Sequence, residues 1–229
     1  APGALLDSGD YARSIDCAVN EGGLAELQAR RDAARAEGRL YGIGYSVVVE
    51  PSISNMGYIT TLLTPEQRER SGPKNGALAT ATVAFDPSGA ISVAVSSVPQ
   101  GQGHRTVLAQ VVADVFQMDP LEVAVATEHD TAKDPWTIAS GNYASRFAGA
   151  VAGATHTAAV RLRERLTVIA AADLNVPPED VAYGNGRIFA TGNPDNSVPL
   201  GRSAAKAHWS PLSIPDAAGA GLRETAFWN

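Results

Sequence analysis

At 229 residues, with 45% hydrophobic and 18% charged positions, the chain can bury a sizeable core and is too apolar for a disordered segment. Its formal net charge of -6 argues against a nucleic-acid binder, which would normally carry a basic face. No apolar run approaches the roughly 20 residues of a membrane span, and a single cysteine, Cys17, excludes an internal disulfide and fits a reducing, cytoplasmic setting.

The chain begins Ala-Pro-Gly with no signal-peptide pattern and ends at Phe227-Trp228-Asn229, just after a strand-like run. Both ends read as cuts through a longer polypeptide or a processed subunit. Ser8 or Asp10 can cap a helix from Tyr11, with Ile15, Ala18 and Val19 marking a face expected to be buried beside Cys17. A second helix runs from Leu24 to about Glu37 and stops at Gly38. Leu40–Glu50 is rich in β-branched and aromatic residues and predicts a strand, with Gly42 and Gly44 marking a close backbone approach. Thr64-Pro65-Glu66 opens a further helix.

Ala77–Phe85 and Ala90–Ser97 predict an antiparallel hairpin across Asp86-Pro87-Ser88-Gly89. A helix from about Val107 to Gln117 and a short strand, Val123–Thr127, follow. Beyond a polar loop, a small-residue helix runs through Gly149 and Gly153 to about Ala172, with Leu162, Leu166 and Ile169 inward and Arg161, Arg163, Glu164 and Arg165 in water. Gly149 and Gly153, four apart, allow another element to pack closely. A second hairpin pairs Val181–Tyr183 with Arg187–Ala190 across Gly184-Asn185-Gly186. A short helix near Ser203–His208 and a last strand, Leu222–Phe227, complete the chain. The expected fold is α+β: mixed sheets built from hairpins, helices packed on one face, and two hairpin-plus-helix halves. The boundaries are a helical lead-in over 1–39, a first half over 40–127 and a second over 128–229, all in one unit.

Two segments stand out chemically. Pro99-Gln100-Gly101-Gln102-Gly103-His104 ends a strand and starts a helix, so backbone N–H groups of the helix N-terminus face whatever lies ahead of it. Gln102 adds a side chain that both donates and accepts, between glycines that permit close approach. Gly141-Asn142-Tyr143-Ala144-Ser145-Arg146 is a second loop-to-helix junction, with Ser145 and Arg146 suited to an anion. His104 reads as a packing or hydrogen-bonding residue and His156 as core or interface. The four histidines show no metal-ligand spacing, so no protein-held metal is expected.

From Gln100-Gly101-Gln102-Gly103-His104, with Thr106 and Ala109-Gln110, through Asp130-Thr131 to Gly141–Arg146, the sequence resembles the molybdenum-binding subunit of the xanthine dehydrogenase and aldehyde oxidase family. The likeness extends back to Asp7–Tyr11, Tyr41–Gly44 and Glu50-Pro51, and forward to Pro178–Val181, Gly186–Ile188 and Arg223–Ala226. It departs at Asn142 and Ala144, where threonine and glycine are common.

The resemblance implies a molybdopterin cofactor carrying molybdenum, in bacteria often as its cytosine dinucleotide. It implies hydroxylation of an aldehyde or a purine-like nitrogen heterocycle, with water as oxygen source. Gln102, between Gly101 and Gly103, would hydrogen-bond an oxo ligand of the metal, and Tyr143, Ala144, Ser145 and Arg146 would hold the pterin or its phosphates. The family's catalytic glutamate sits in a Gly-Glu motif absent here, and Glu224 in Arg-Glu-Thr-Ala does not replace it. No catalytic residue is therefore assigned, and the isolated chain is expected to be inactive. Iron–sulfur clusters and FAD would sit only on partner subunits, joined with the remaining molybdenum-subunit segments in a hetero-oligomer. The alternative is a non-catalytic assembly domain of the same fold, without bound cofactor.

Overall fold

A computed structural model of the chain describes residues 9–46, 48, 64–71, 78–128, 130, 141–142 and 145–228. Contacts divide it into two units, residues 1–50 with 59–72, and 51–58 with 73–229.

Among the described residues the first unit holds three helices. Asp10 caps α1 (Tyr11–Asn20), its carboxylate accepting from the Arg13 N–H at 3.0 Å. After a turn, α2 (Leu24–Ala36) runs until Gly38 takes φ +71°. Thr64 and Gln67 cap α3 (Pro65–Ser71) reciprocally, the Gln67 N–H donating to Thr64 Oγ1 at 3.3 Å and the Thr64 N–H to Gln67 Oε1 at 2.9 Å.

Two expectations fail in this unit. Over Leu40–Ser46 the backbone is irregular, not a strand, and Tyr45 is 73% exposed. β-propensity reflects fit to a half-buried pleated surface, and no strand pairs with this segment among the described residues. Among the described residues nothing approaches Gly42 or Gly44 within 4 Å of an added Cβ. The Ile15–Val19 face of α1 is likewise not buried; with Leu27 and Tyr45 it lines an open apolar groove.

The second unit opens with β1 (Ala79–Phe85) and β2 (Ile91–Val95), antiparallel with Ala81 opposite Val95 and Phe85 opposite Ile91. Helix α4 (His104–Phe116) then crosses back, and β3 (Val123–Ala126) lies parallel to β2. A π-helical turn, Phe147–Val151, feeds the long α5 (Ala152–Leu174). Strands β4 (Val181–Gly184), β5 (Arg187–Ala190) and β6 (Asn193–Pro199) form an antiparallel sheet. Helix α6 (Leu200–Trp209) and β7 (Arg223–Trp228) finish the unit. The larger sheet runs β3-β2-β1-β7, so the last strand pairs with the first across most of the sequence.

The core is built on the hairpin, whose β2 alternates in burial while β1 is covered on both faces, Thr80 and Thr82 included. Ala79, Ala81, Val83, Phe85, Ile91, Val93 and Val95 are all buried, and Ser92 between them is exposed. Helices α4 and α5 cover that face with Leu108, Val112, Phe116, Leu162, Leu166 and Ile169. Phe85 meets Phe116 edge-on, with ring centroids 5.3 Å apart. Truncating any of these leucines to alanine would cost about 2–5 kcal/mol, so the sheet-to-helix distance is firmly held.

Gly153 receives the Trp228 indole, 3.1 Å from where a Cβ would stand. Arg165 does not sit on the wet side. It donates to the carbonyls of Ala218 at 2.7 Å and Arg223 at 3.2 Å, and pairs with Glu224 at 2.6 Å. It thereby pins the segment that delivers β7. Arg163 lies over the Tyr183 ring at 4.5 Å. His156 is exposed, not core. Among the described residues no helix is long and apolar enough to cross a membrane.

Candidate functional site

Where β2 ends, the ladder continues by side chain: the Thr80 N–H donates to Ser96 Oγ at 3.1 Å, and Ser96 and Ser97 are both buried. The chain then leaves the sheet through Val98 and Pro99. Gly101 takes φ +107° and Gly103 φ +76°, a region that only glycine enters readily. Among the described residues a Cβ at either would touch nothing within 4 Å, so these glycines serve the backbone's course and not close packing there. The first-turn N–H groups of α4 have no intrahelical acceptor, and among the described residues no side chain caps them at Gly103.

Beneath this loop lies a buried polar network. Ser97 Oγ donates to Asn142 Oδ1 at 2.6 Å and stands 3.1 Å from His104 Nε2. The Asn142 amide group donates to the Val98 carbonyl and lies 3.5 Å from Gln102 Oε1. The Val98 oxygen can only accept, which fixes the amide's orientation. Ser97 spends its one hydroxyl proton on Asn142, so His104 Nε2 carries the ring proton and donates to Ser97. His104 Nδ1 is then a bare lone pair, with no partner among the described residues. Burial holds this imidazole below its ordinary range, against a smaller upward pull from the Asn142 side chain, and the ring is neutral.

The two junctions therefore meet. His104, the first residue of α4, stacks on Phe147, the first residue of the π-helical turn, with centroids 3.9 Å apart and planes 20° from parallel. Gln102 and Asn142 bring the loops themselves together. Gln102 is exposed, and its Oε1 accepts from the Gln100 N–H at 2.7 Å. Its Nε2 makes no hydrogen bond among the described residues.

Ser145 is exposed at φ +51°, a strained conformation for a residue with a Cβ. Arg146 is 1% exposed, not on the surface, and donates to the Leu78 carbonyl at 2.8 Å at the entry to β1. Tyr143 and Ala144 lie outside the described residues. Arg105, the other cation near the loop, is directed to Glu128 at 2.7 Å. Glu224 is committed to Arg165.

Sequence reading alone passed over Ser97 and Phe147 and treated Asn142 only as a departure from a pattern. The one signal for Ser97 was a pair of serines closing an apolar strand.

The model of the molybdopterin cofactor-binding domain family matches residues 18–229. The chain is 29% identical over 227 residues to the large subunit of nicotine 6-hydroxylase from Paenarthrobacter nicotinovorans, covering 99% of this chain and 26% of that one. It is 26% identical over 215 residues to the carbon monoxide dehydrogenase large chain of Hydrogenophaga pseudoflava, covering 91% and 25%. Quinoline 2-oxidoreductase from Pseudomonas putida 86 superposes with a TM-score of 0.69 at 29% identity, over 96% of this chain and 26% of its own. The chain thus spans about a quarter of the length of these relatives. A family match over nearly the whole sequence, joined to a fold shared with a solved member, means that the chain belongs to the molybdopterin cofactor-binding domain family.

Proposed function

We propose that this chain supplies part of the cofactor site of a molybdenum hydroxylase of the xanthine dehydrogenase and aldehyde oxidase type. Its substrate would be an aldehyde or a nitrogen heterocycle, and its partners the rest of the molybdenum subunit with iron–sulfur and flavin subunits, in the cytoplasm. The single observation behind this reading is the meeting of two glycine-bearing helix starts, at His104 and Phe147, with Gln102 and Asn142 bridging their loops.

The residues present fit a molybdopterin group. Among the described residues, Gly101 and Gly103 meet no neighbour that would crowd the loop, no side chain caps α4, and Gln102 keeps an amide donor available. Those are neutral donors, suited to oxygens of an anionic group. In this reading the metal is carried by its organic ligand and not by side chains of this chain. When bound, that group supplies the two-electron oxidation that places a water-derived oxygen on the substrate.

In this reading Gln102 donates its Nε2–H to an oxygen on the metal side of the group. Gly101, Gly103 and the first turn of α4 approach it through backbone N–H groups. Tyr143, Ala144, Ser145 and Arg146 hold its pterin or phosphate end, in the cytosine dinucleotide form where that is the form bound. The relatives named for oxidation of nicotine and quinoline favour a nitrogen heterocycle over an aldehyde.

The test is molybdenum and pterin content of the full-length subunit purified with its partners. Gln102→Ala is expected to lower bound molybdenum about tenfold or more, the scale on which a partner of a bound metal group acts. Unchanged metal content would overturn the assignment of Gln102.

A further inference from the structure

We infer that Asn142 is a positioning residue that makes Gln102 a donor only, so the atom of the bound group facing Gln102 must be a hydrogen-bond acceptor. This rests on the reading that Gln102 meets the molybdopterin group.

An exposed glutamine ordinarily presents either end of its amide, at little difference in energy. Here the choice is made by what surrounds Oε1. The Gln100 N–H points at it from 2.7 Å and the Asn142 amide stands 3.5 Å away. Turning the carboxamide over would set Nε2 against two donors, leaving their hydrogens opposed and the Gln100 N–H without an acceptor. The 3.5 Å contact is long and weak in itself. Its weight lies in Asn142 being fixed elsewhere.

Asn142 is only 7% exposed. Ser97 holds its Oδ1 at 2.6 Å, the Val98 carbonyl holds its amide group, and His104 holds Ser97. None of these partners can reverse role: a carbonyl cannot donate, and the Ser97 hydroxyl proton is already used. The order of protons therefore runs one way, from His104 through Ser97 and Asn142 to Gln102 Oε1. The amide group of Gln102 is left for the ligand. Asn142 also grips the backbone at Val98, two residues before the Gln100 N–H, so it steadies both donors that face Oε1. An oxo, phosphate or carbonyl oxygen satisfies the resulting site, whereas a hydroxyl or amine offered as donor does not.

The experiment is a double-mutant cycle in the full-length subunit with its partners, read as molybdenum content and the Mo(V) electron paramagnetic resonance signal. Asn142→Asp keeps the shape and the Ser97 contact but turns the face toward Gln102 from donor to acceptor. It is expected to lower molybdenum content about tenfold and to change the signal, with no further change when added to Gln102→Ala. Gln102→Glu, at an exposed position, has no donor at its end and is expected to lose metal as completely as Gln102→Ala. Losses of Asn142→Asp and Gln102→Ala that multiply, or full metal retention in Gln102→Glu, would overturn the inference. If Gln102→Ala itself retains metal, the reading of Gln102 as a partner of the cofactor fails instead, and the two failures are told apart by that variant alone.

Discussion

Asp86–Gly89 leads into β2 and Pro99–Gly103 leads out of it, and both segments turn on glycines in the left-handed region. The first turn is closed by its own hydrogen bonds and by α6. Asp86 Oδ1 accepts from the Ser88 N–H at 2.8 Å, the Ser88 hydroxyl at 2.6 Å and the Ala90 N–H at 3.0 Å. The Ser88 hydroxyl and the Ala90 N–H hold that carboxylate below its ordinary range. From α6, Trp209 Nε1 donates to the Pro87 carbonyl at 2.6 Å and His208 Nε2 to the Phe85 carbonyl at 2.9 Å. A Cβ on Gly89 would stand 2.0 Å from the Gly201 oxygen.

At the second turn the same backbone shape is left open. Among the described residues a Cβ on Gly101 or Gly103 meets nothing, no side chain caps α4, and Gln102 keeps one amide donor out of use. Glycine at a left-handed position says only that the chain must bend there. What its Cβ would meet separates a turn closed by packing from one that is not, and the proposed ligand site lies at the second kind.

Gly89→Ala should show the largest effect on folding. Left-handed strain of about 1–2 kcal/mol adds to overpacking of about 1–3 kcal/mol against a backbone oxygen that cannot rotate away. A loss of unfolding free energy, measured by denaturant titration, smaller than about 1 kcal/mol would mean that α6 yields, and the contrast would weaken. Gly103→Ala should cost only the strain, about 1–2 kcal/mol, yet lower molybdenum content per folded subunit, which Gly89→Ala should leave intact. The reverse pattern in metal content would remove the functional half of the comparison.

The mildest effect concerns pH. His104 is held neutral by burial, so the unfolded chain takes up a proton before the folded one does. Its contribution to stability is complete above the ordinary value of 6.5 and is lost as pH falls from there toward the lowered folded value. Melting temperature followed from pH 8 to 5 should therefore drop faster below about 6.5 than in a His104→Gln variant, given the one-proton linkage of such a group. Identical curves would place His104 outside the buried network. At the first turn the sign lies elsewhere: Asp86 contributes at neutral pH and loses its effect only as pH falls below the carboxylate range.

Local patterning carried most of the fold. The hairpin β1–β2 showed as two apolar alternations around Asp-Pro-Ser-Gly, and β4–β5 as two short runs around Gly-Asn-Gly, because turn residues and a two-residue period are written in neighbouring positions. Asp10, one of two cap candidates, and the helix start at Thr64-Pro65 were legible for the same reason. Gly101, Gln102 and Gly103, and the second junction at Ser145 and Arg146, could be picked out because short glycine-bearing motifs between a strand and a helix are themselves local.

Tertiary contact decided the rest. Leu40–Ser46 has strand-like residues and no strand to pair with among the described residues, and β6, with two prolines and few β-formers, is a strand because β5 lies beside it. The seating of β7 against β1 depends on Arg165, which periodicity had assigned to solvent and which the 218–224 segment draws inward. Ser97, Asn142 and His104 are separated by 7 to 45 positions, and no sequence pattern announces their hydrogen bonds. Sequence fixes which groups can donate or accept. Only folding brings Asn142 beside Gln102, and that neighbour determines which end of the glutamine a ligand will meet.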